Sequence, residues 1–283
     1  MLTETWVAQP DLKLNYVISP ETATPLILLH GVTRRWQSFL PLMGPLSVHR
    51  QLIVPDLRGH GLSSRPESGY LVRDYAADIT AFIQDRDQPV ALYGHSLGAL
   101  VAAAVAVEIP EQVTAIILED PPFNTMNENI AATTFHSFFK AMQTFAGDQR
   151  SIHEIARDLA EVRLYNPDNG AEYRLGDLRD GVSLRFTAGC LQQLDPAVLL
   201  PIVEGRWLEG YVTESVFRQL SCPALLIQAD ATAGGMLPDD DADQLDSWSD
   251  SLTRIKVPGA GHLVHWAATQ QVVNQVLGFL ATT

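Results

Sequence analysis

The sequence predicts an α/β fold built on a mostly parallel, doubly wound sheet. Three observations predict it. Short β-rich runs alternate along the chain with segments of helical periodicity. Several of those runs, LILL, AIIL and ALLI, are apolar without a break, as parallel strands buried on both faces require. A chain of 283 residues, 46% apolar and 18% charged, can bury a large core without disulfides or a structural metal.

In chain order, residues 4–9 suit an antiparallel edge strand. Residues 14–19, 25–30, 51–56, 90–93 and 114–119 follow as strands, and 224–229 and 252–257 complete the sheet. Between them, residues 74–86 open with Asp74, which can cap, and carry Tyr75, Ile79, Phe82 and Ile83 on one helical face. Residues 97–108 are rich in Ala and Leu and stop before Pro110, and a helix over 270–280 closes the chain. The alternation breaks once. From about residue 121 to 220 there is no run that suits a buried strand, only helical stretches at 129–145, 151–164, 182–194 and 196–204, punctuated by the loop NPDNG at 166–170. This predicts a helical lid, residues 123–218, inserted between core strands 6 and 7. The core then lies in two segments, 1–122 and 219–283. A lid there covers the carboxyl edge of the sheet, where ligands bind in open α/β folds.

Composition excludes some partners. With 19 Lys+Arg against 33 Asp+Glu the formal charge is −14, so no broad basic face is available for nucleic acid or an anionic membrane. The longest apolar stretch, residues 99–107, is far short of the ~20 residues a membrane span needs. The N-terminal residues show no basic region followed by an apolar run, and two cysteines, Cys190 and Cys222, make no disulfide framework. The expectation is a soluble, cytoplasmic protein acting on a small molecule.

The sharpest chemical signal is Gly94-His95-Ser96-Leu97-Gly98, a G-x-S-x-G sequence between the strand VALY and the helix from Leu97. Chance supplies such a motif in roughly a tenth of chains this long, so its strand-to-helix context carries the argument. A serine at that turn needs small neighbours and sits at a helix N-terminus, where N–H groups favour developing negative charge. Its hydroxyl needs a base. Of eight histidines, His262 in PGAGH has the best context, a Gly-rich loop after the last strand. His265 suits a supporting or surface position. His30 and His95 flank the site in sequence and count there by backbone position.

LLHG at 28–31, DLRGHGLSS at 56–64, GHSLG at 94–98 and PGAGH at 258–262 together resemble the α/β-hydrolase superfamily in its lidded branch. The resemblance implies that Ser96 is the nucleophile, His262 the general base, and the backbone N–H groups of Val32 and Leu97 the oxyanion hole. The triad acid departs from the common pattern. After the seventh strand the chain has LLIQADATAGGML, which puts Thr232 near the usual aspartate position and Asp230 two residues early. Asp120, just past the sixth strand in AIILEDPPF, resembles the acid position of haloalkane dehalogenases. Asp120 is preferred and Asp230 is the alternative; both keep the Ser…Asp…His order.

Carboxylic ester or lactone hydrolysis is the first expectation, with no cofactor and no metal. Carbon–carbon bond cleavage in a diketone, and amide or peptide hydrolysis, are the alternatives of the same fold, and a slow-turnover ligand receptor is the alternative from another class. A serine nucleophile argues against halide displacement and epoxide opening. Elsewhere Asp56 and Arg58 suit a buried turn network. Arg34 and Arg35, beside Trp36, suit solvated side chains first and a carboxylate clamp at the pocket mouth second. The acidic run from Asp239 to Asp246 lacks the Gly and Glu of a calcium loop and suits an acidic helix N-terminus. No Cys/His cluster has zinc spacing.

Overall fold

The computed structural model describes every residue except Met1, Pro10, Asp11 and Asp168, the last lying within the expected 166–170 loop. Eight strands form the central sheet: β1 (Thr3–Gln9), β2 (Leu12–Ile18), β3 (Leu26–Leu29), β4 (Leu52–Pro55), β5 (Val90–His95), β6 (Val113–Glu119), and, after a two-stranded hairpin of β7 (Arg163–Tyr165) and β8 (Glu172–Arg174), β9 (Ala224–Gln228) and β10 (Leu252–Lys256). Their order is β1-β2-β4-β3-β5-β6-β9-β10. β1 pairs antiparallel with β2 and β2 antiparallel with β4, and the other pairings are parallel. The helices are α1 (Leu40–Ser47), α2 (Val72–Gln84), α3 (Leu97–Glu108), α4 (Thr134–Phe145), α5 (Ile152–Glu161), α6 (Leu175–Leu178), α7 (Gly181–Gln192), α8 (Leu200–Val203), α9 (Thr213–Gln219), α10 (Asp239–Trp248), α11 (Val264–Ala267) and α12 (Thr269–Leu280).

The apolar runs do what their composition dictates. In β3, Leu26 and Leu28 enter one core layer and Ile27 and Leu29 the other, because side chains alternate across a strand. The same alternation splits β6 into Ile116 and Leu118 against Ala115 and Ile117. α3 is apolar all round and nearly all buried, as a helix must be when it lies between the sheet and further helices. Leu42, Met43 and Leu46 of α1 and Val272, Val273 and Val276 of α12 pack in the opposite layer.

Three differences from the sequence expectation have physical causes. α2 begins at Val72, so Asp74 lies inside its first turn, and its Oδ2 reaches back to accept from the Leu71 N–H (2.8 Å). α1 was hidden by its own breakers: Pro41, Gly44 and Pro45 lie in eight residues. The 151–164 stretch stops being helical at Glu161 and turns into the β7–β8 hairpin, whose residues are mostly exposed, so no buried apolar run announces it. The segment between β6 and β9 is otherwise helical. Among the described residues, no single helix is long and apolar enough to cross a membrane.

Candidate active site

Sheet register brings the site together. His95 at the end of β5 lies opposite Glu119 at the end of β6, and Glu119 opposite Ile227 in β9. The residues that follow, Ser96 and Asp120, therefore leave the sheet side by side. Among the described residues, three that are not glycine have positive φ: Thr33 (62°), Ser96 (54°) and Asp120 (44°). Each follows the carboxyl end of β3, β5 or β6. Such conformations persist only where the surrounding structure holds them.

The serine turn explains its glycines. A Cβ on Gly94 would lie 2.1 Å from the Gly98 carbonyl oxygen, and one on Gly98 would lie 1.9 Å from that of Leu29. Neither position admits a side chain while α3 leaves β5 so steeply. Ser96 is 3% exposed and immediately precedes α3, whose first N–H groups, that of Leu97 included, have no intrahelical acceptor.

Asp120 is fully buried, and its Oδ2 lies 2.6 Å from His262 Nδ1. The carboxylate also accepts from the N–H groups of Met236 (2.8 Å), Ala229 (3.3 Å) and Leu237 (3.3 Å), so both oxygens are fixed. Asp230 is placed elsewhere. It accepts from Thr232 N–H (2.9 Å) and Oγ1 (2.7 Å) and from Gly259 N–H (2.9 Å), and those bonds, led by the Thr232 hydroxyl, hold its carboxyl down to about 2. It thus braces the loop that carries His262 without meeting the ring, which removes the geometric basis for the alternative acid.

The histidines do more than the sequence suggested. His95 donates from Nε2 to the His262 carbonyl (3.0 Å) and packs ring to ring with His262 at 4.6 Å. His30 bridges Gly31 O from Nδ1 (2.9 Å) and accepts the Leu57 N–H at Nε2 (3.0 Å). It thereby anchors the loop that presents Val32, and burial pushes its pKa down to about 4, so the ring is neutral at pH 7. His265 is not a surface residue. It is fully buried, with Nδ1 at 2.8 Å and 2.9 Å from the two Glu119 oxygens and Nε2 3.1 Å from Ser38 O. Its own N–H also donates to Glu119 (3.0 Å), and so does the Tyr93 hydroxyl. Burial alone would raise the Glu119 pKa, but His265 and these donors hold it at about 2. Sequence reasoning missed this second carboxylate–imidazole pair. The adjacent acids Glu119 and Asp120, and two histidines three residues apart, were its only signal.

His95, Glu119 and His265 are also the described group closest to a metal-ligand set, with ligand atoms within 4.8 Å of one another. Glu119 is already occupied by protein donors, and only His95 Nδ1 is left without a partner. The turn network expected at Asp56 and Arg58 is present. Asp56 accepts from Trp36 N–H (2.8 Å), Leu62 N–H (3.1 Å) and Asn15 (2.9 Å), and Arg58 pairs with Asp78 and Gly69 O.

A family model described as alpha/beta hydrolase fold matches residues 24–269. The chain belongs to that family. The hydrolase 2-(acetamidomethylene)succinate hydrolase of Mesorhizobium japonicum is 26% identical over 268 residues, covering 90% of this chain and 88% of the relative. A crystal structure of E-2-(acetamidomethylene)succinate hydrolase matches with a TM-score of 0.78 at 21% identity, over 99% of this chain and 100% of the other. The 2-hydroxymuconate semialdehyde hydrolase of a Pseudomonas species is 24% identical over 263 residues, 88% of this chain and 83% of the relative. A carboxylesterase structure from Bacillus subtilis matches with a TM-score of 0.76 at 19% identity, over 100% of this chain and 93% of the other. Membership makes the protein an enzyme of the hydrolase class, as these named relatives are.

Proposed function

We propose that the protein is a serine hydrolase of small carboxylic esters or lactones, with Ser96 as nucleophile, His262 as general base and Asp120 as the acid that orients it. The observation that carries the proposal is the 2.6 Å bond from His262 Nδ1 to the buried Asp120 carboxylate, beside a serine in a strained strand-to-helix turn. His262 Nε2 takes the Ser96 proton as Oγ attacks the carbonyl carbon, and the Val32 and Leu97 N–H groups receive the oxyanion. Such donors are typically worth a factor of ~10²–10³ each. Imidazolium His262 then protonates the leaving oxygen, and water, deprotonated by the same ring, releases the acid from Ser96.

Residues 123–218 serve in this proposal as the lid. Support comes from Phe186 of α7, which packs on Trp266 of the core at 5.1 Å, and from Arg34, which reaches Thr187 of α7 (3.4 Å).

Labelling with a fluorophosphonate followed by peptide mapping tests the nucleophile. Modification of Ser96, turnover of short-chain p-nitrophenyl esters and loss of both in Ser96→Ala are expected. A wild-type protein that is folded but neither labelled nor active sinks the proposal.

A further inference from the structure

A small cavity of about 20 Å³ lies between the loop after β3, the loop after β10 and α7, lined by Arg34, Arg179, Ser183, Thr187, Leu263 and Trp266 among others. That is below the ~300–1,000 Å³ typical of pockets for larger ligands. Arg34 stands two residues beyond Val32, and Leu263 follows His262, so the cavity touches both loops on which hydrolysis depends.

The cavity sets two arginines, Arg34 and Arg179, on one lining. Among the described residues neither Arg34 nor Arg179 is in an ion pair. Arg34 uses Nη1 for Thr33 O (3.2 Å) and Thr187 Oγ1 (3.4 Å), and among the described residues Nε and Nη2 have no protein acceptor. Asp180, next to Arg179, caps α7 through Val182 N–H (2.8 Å) and Ser183 N–H (2.9 Å), and its charge also acts on Arg179. Burial weakens the hold of Arg34 on its proton, and the Arg179 charge adds to that. Like charges drawn together in a partly desolvated cleft are unfavourable until an anion joins them.

We infer that this cavity is a carboxylate subsite, in which Arg34 and Arg179 hold a free carboxylate on the same molecule whose ester or lactone carbonyl meets Ser96. The guanidinium fork matches two carboxylate oxygens, and Phe186, Leu263 and Trp266 supply apolar walls for the intervening carbons. The substrate class is therefore a small anionic ester or lactone rather than a neutral one. The inference rests on the hydrolase proposal for its reacting bond but not for its anion.

The test compares p-nitrophenyl hydrogen glutarate with its neutral methyl ester, and measures glutarate binding by calorimetry and thermal shift. Wild type is expected to favour the anionic ester in kcat/KM by about tenfold or more. Arg34→Gln and Arg179→Gln should each lower that ratio by about ten- to a hundredfold, mainly through KM, and glutarate should bind wild type but not the double variant. Arg179 is exposed at the rim, so its variant folds even if that of Arg34 does not. A wild-type ratio of one or less, or a ratio preserved in a folded Arg179→Gln, overturns the subsite. If Ser96 is neither labelled nor active, the hydrolase proposal fails. Arginine-dependent glutarate binding would then still support the subsite, and its absence, or binding of inorganic phosphate instead, would overturn it.

Discussion

Asp120 meets His262 and three backbone N–H groups, whereas the oxygens of Asp230 are spent on Thr232 and Gly259. Asp120→Asn should therefore lower kcat by about 10³–10⁴-fold with an unchanged circular dichroism spectrum, and Asp230→Asn by less than about tenfold. The reverse ranking would move the acid to Asp230. The Glu119–His265 pair makes a separate prediction. Leaving a buried hydrogen-bonding partner unsatisfied costs about 1–3 kcal/mol, to be read from urea denaturation of Glu119→Gln. Its pH dependence has a definite sign. The Glu119 pKa falls from 4.5 to about 2 on folding, so its stabilisation is full above pH 4.5 and fades as pH drops towards 2. Glu119→Gln should lose that part of the acid dependence; an unaltered profile would show that the pair does not titrate as described. At this scale Ser96 and His262 stood out as candidates because short motifs surround them, and Asp120 and Asp230 stayed open until the fold was known. His265 did not stand out, since a buried histidine has no local signature until its carboxylate partner is known.

Elements show what the loops require. His30 and His60 face each other with ring centroids 5.0 Å apart. Burial lowers their pKa values to about 4 and about 3, the His30 charge contributing at His60. An unfolded chain protonates these rings near pH 6.5 while the native state does not. Stability should thus be full above about pH 6.5 and decline as pH falls towards 4, by on the order of 3 kcal/mol for His30. Melting temperatures between pH 7.5 and 4.5 check this, and a flat profile over that interval would contradict it. The approach of α3 to β3 gives a sharper test. Gly98→Ala places a Cβ against the Leu29 carbonyl, whereas Gly278 has nothing within 4 Å. Gly98→Ala should give insoluble protein or protein whose Ser96 resists labelling, with Gly278→Ala as the soluble control. The strands and α3 were readable from continuous apolar runs. α1 and the β7–β8 hairpin were not, because proline, glycine and exposed polar residues mask elements that packing and pairing stabilise.

Across the whole molecule, tertiary burial governs even groups without a role in the site. Cys190 and Cys222 are free and buried, and burial pushes both thiols up to about 11. Ellman's reagent at pH 8 should leave the native protein unmodified and react with two thiols after denaturation, so fast reaction without denaturant would reveal a looser molecule. The acidic run behaves as its composition implied. α10 begins at Asp239, and Arg254 and Lys256 of β10 pair with Asp239, Asp243 and Asp246. Sequence alone determined the fold class, the core strands along the chain and which serine and histidine to propose for the site. These are local properties, written in apolar periodicity and in turns that only small residues permit. Tertiary structure decided which aspartate meets His262, that Glu119 and His265 pair beneath it, and that Arg34 and Arg179 share one cavity. Those outcomes depend on strand register and on helices distant in sequence packing over the sheet edge, and no window of neighbouring residues contains that information.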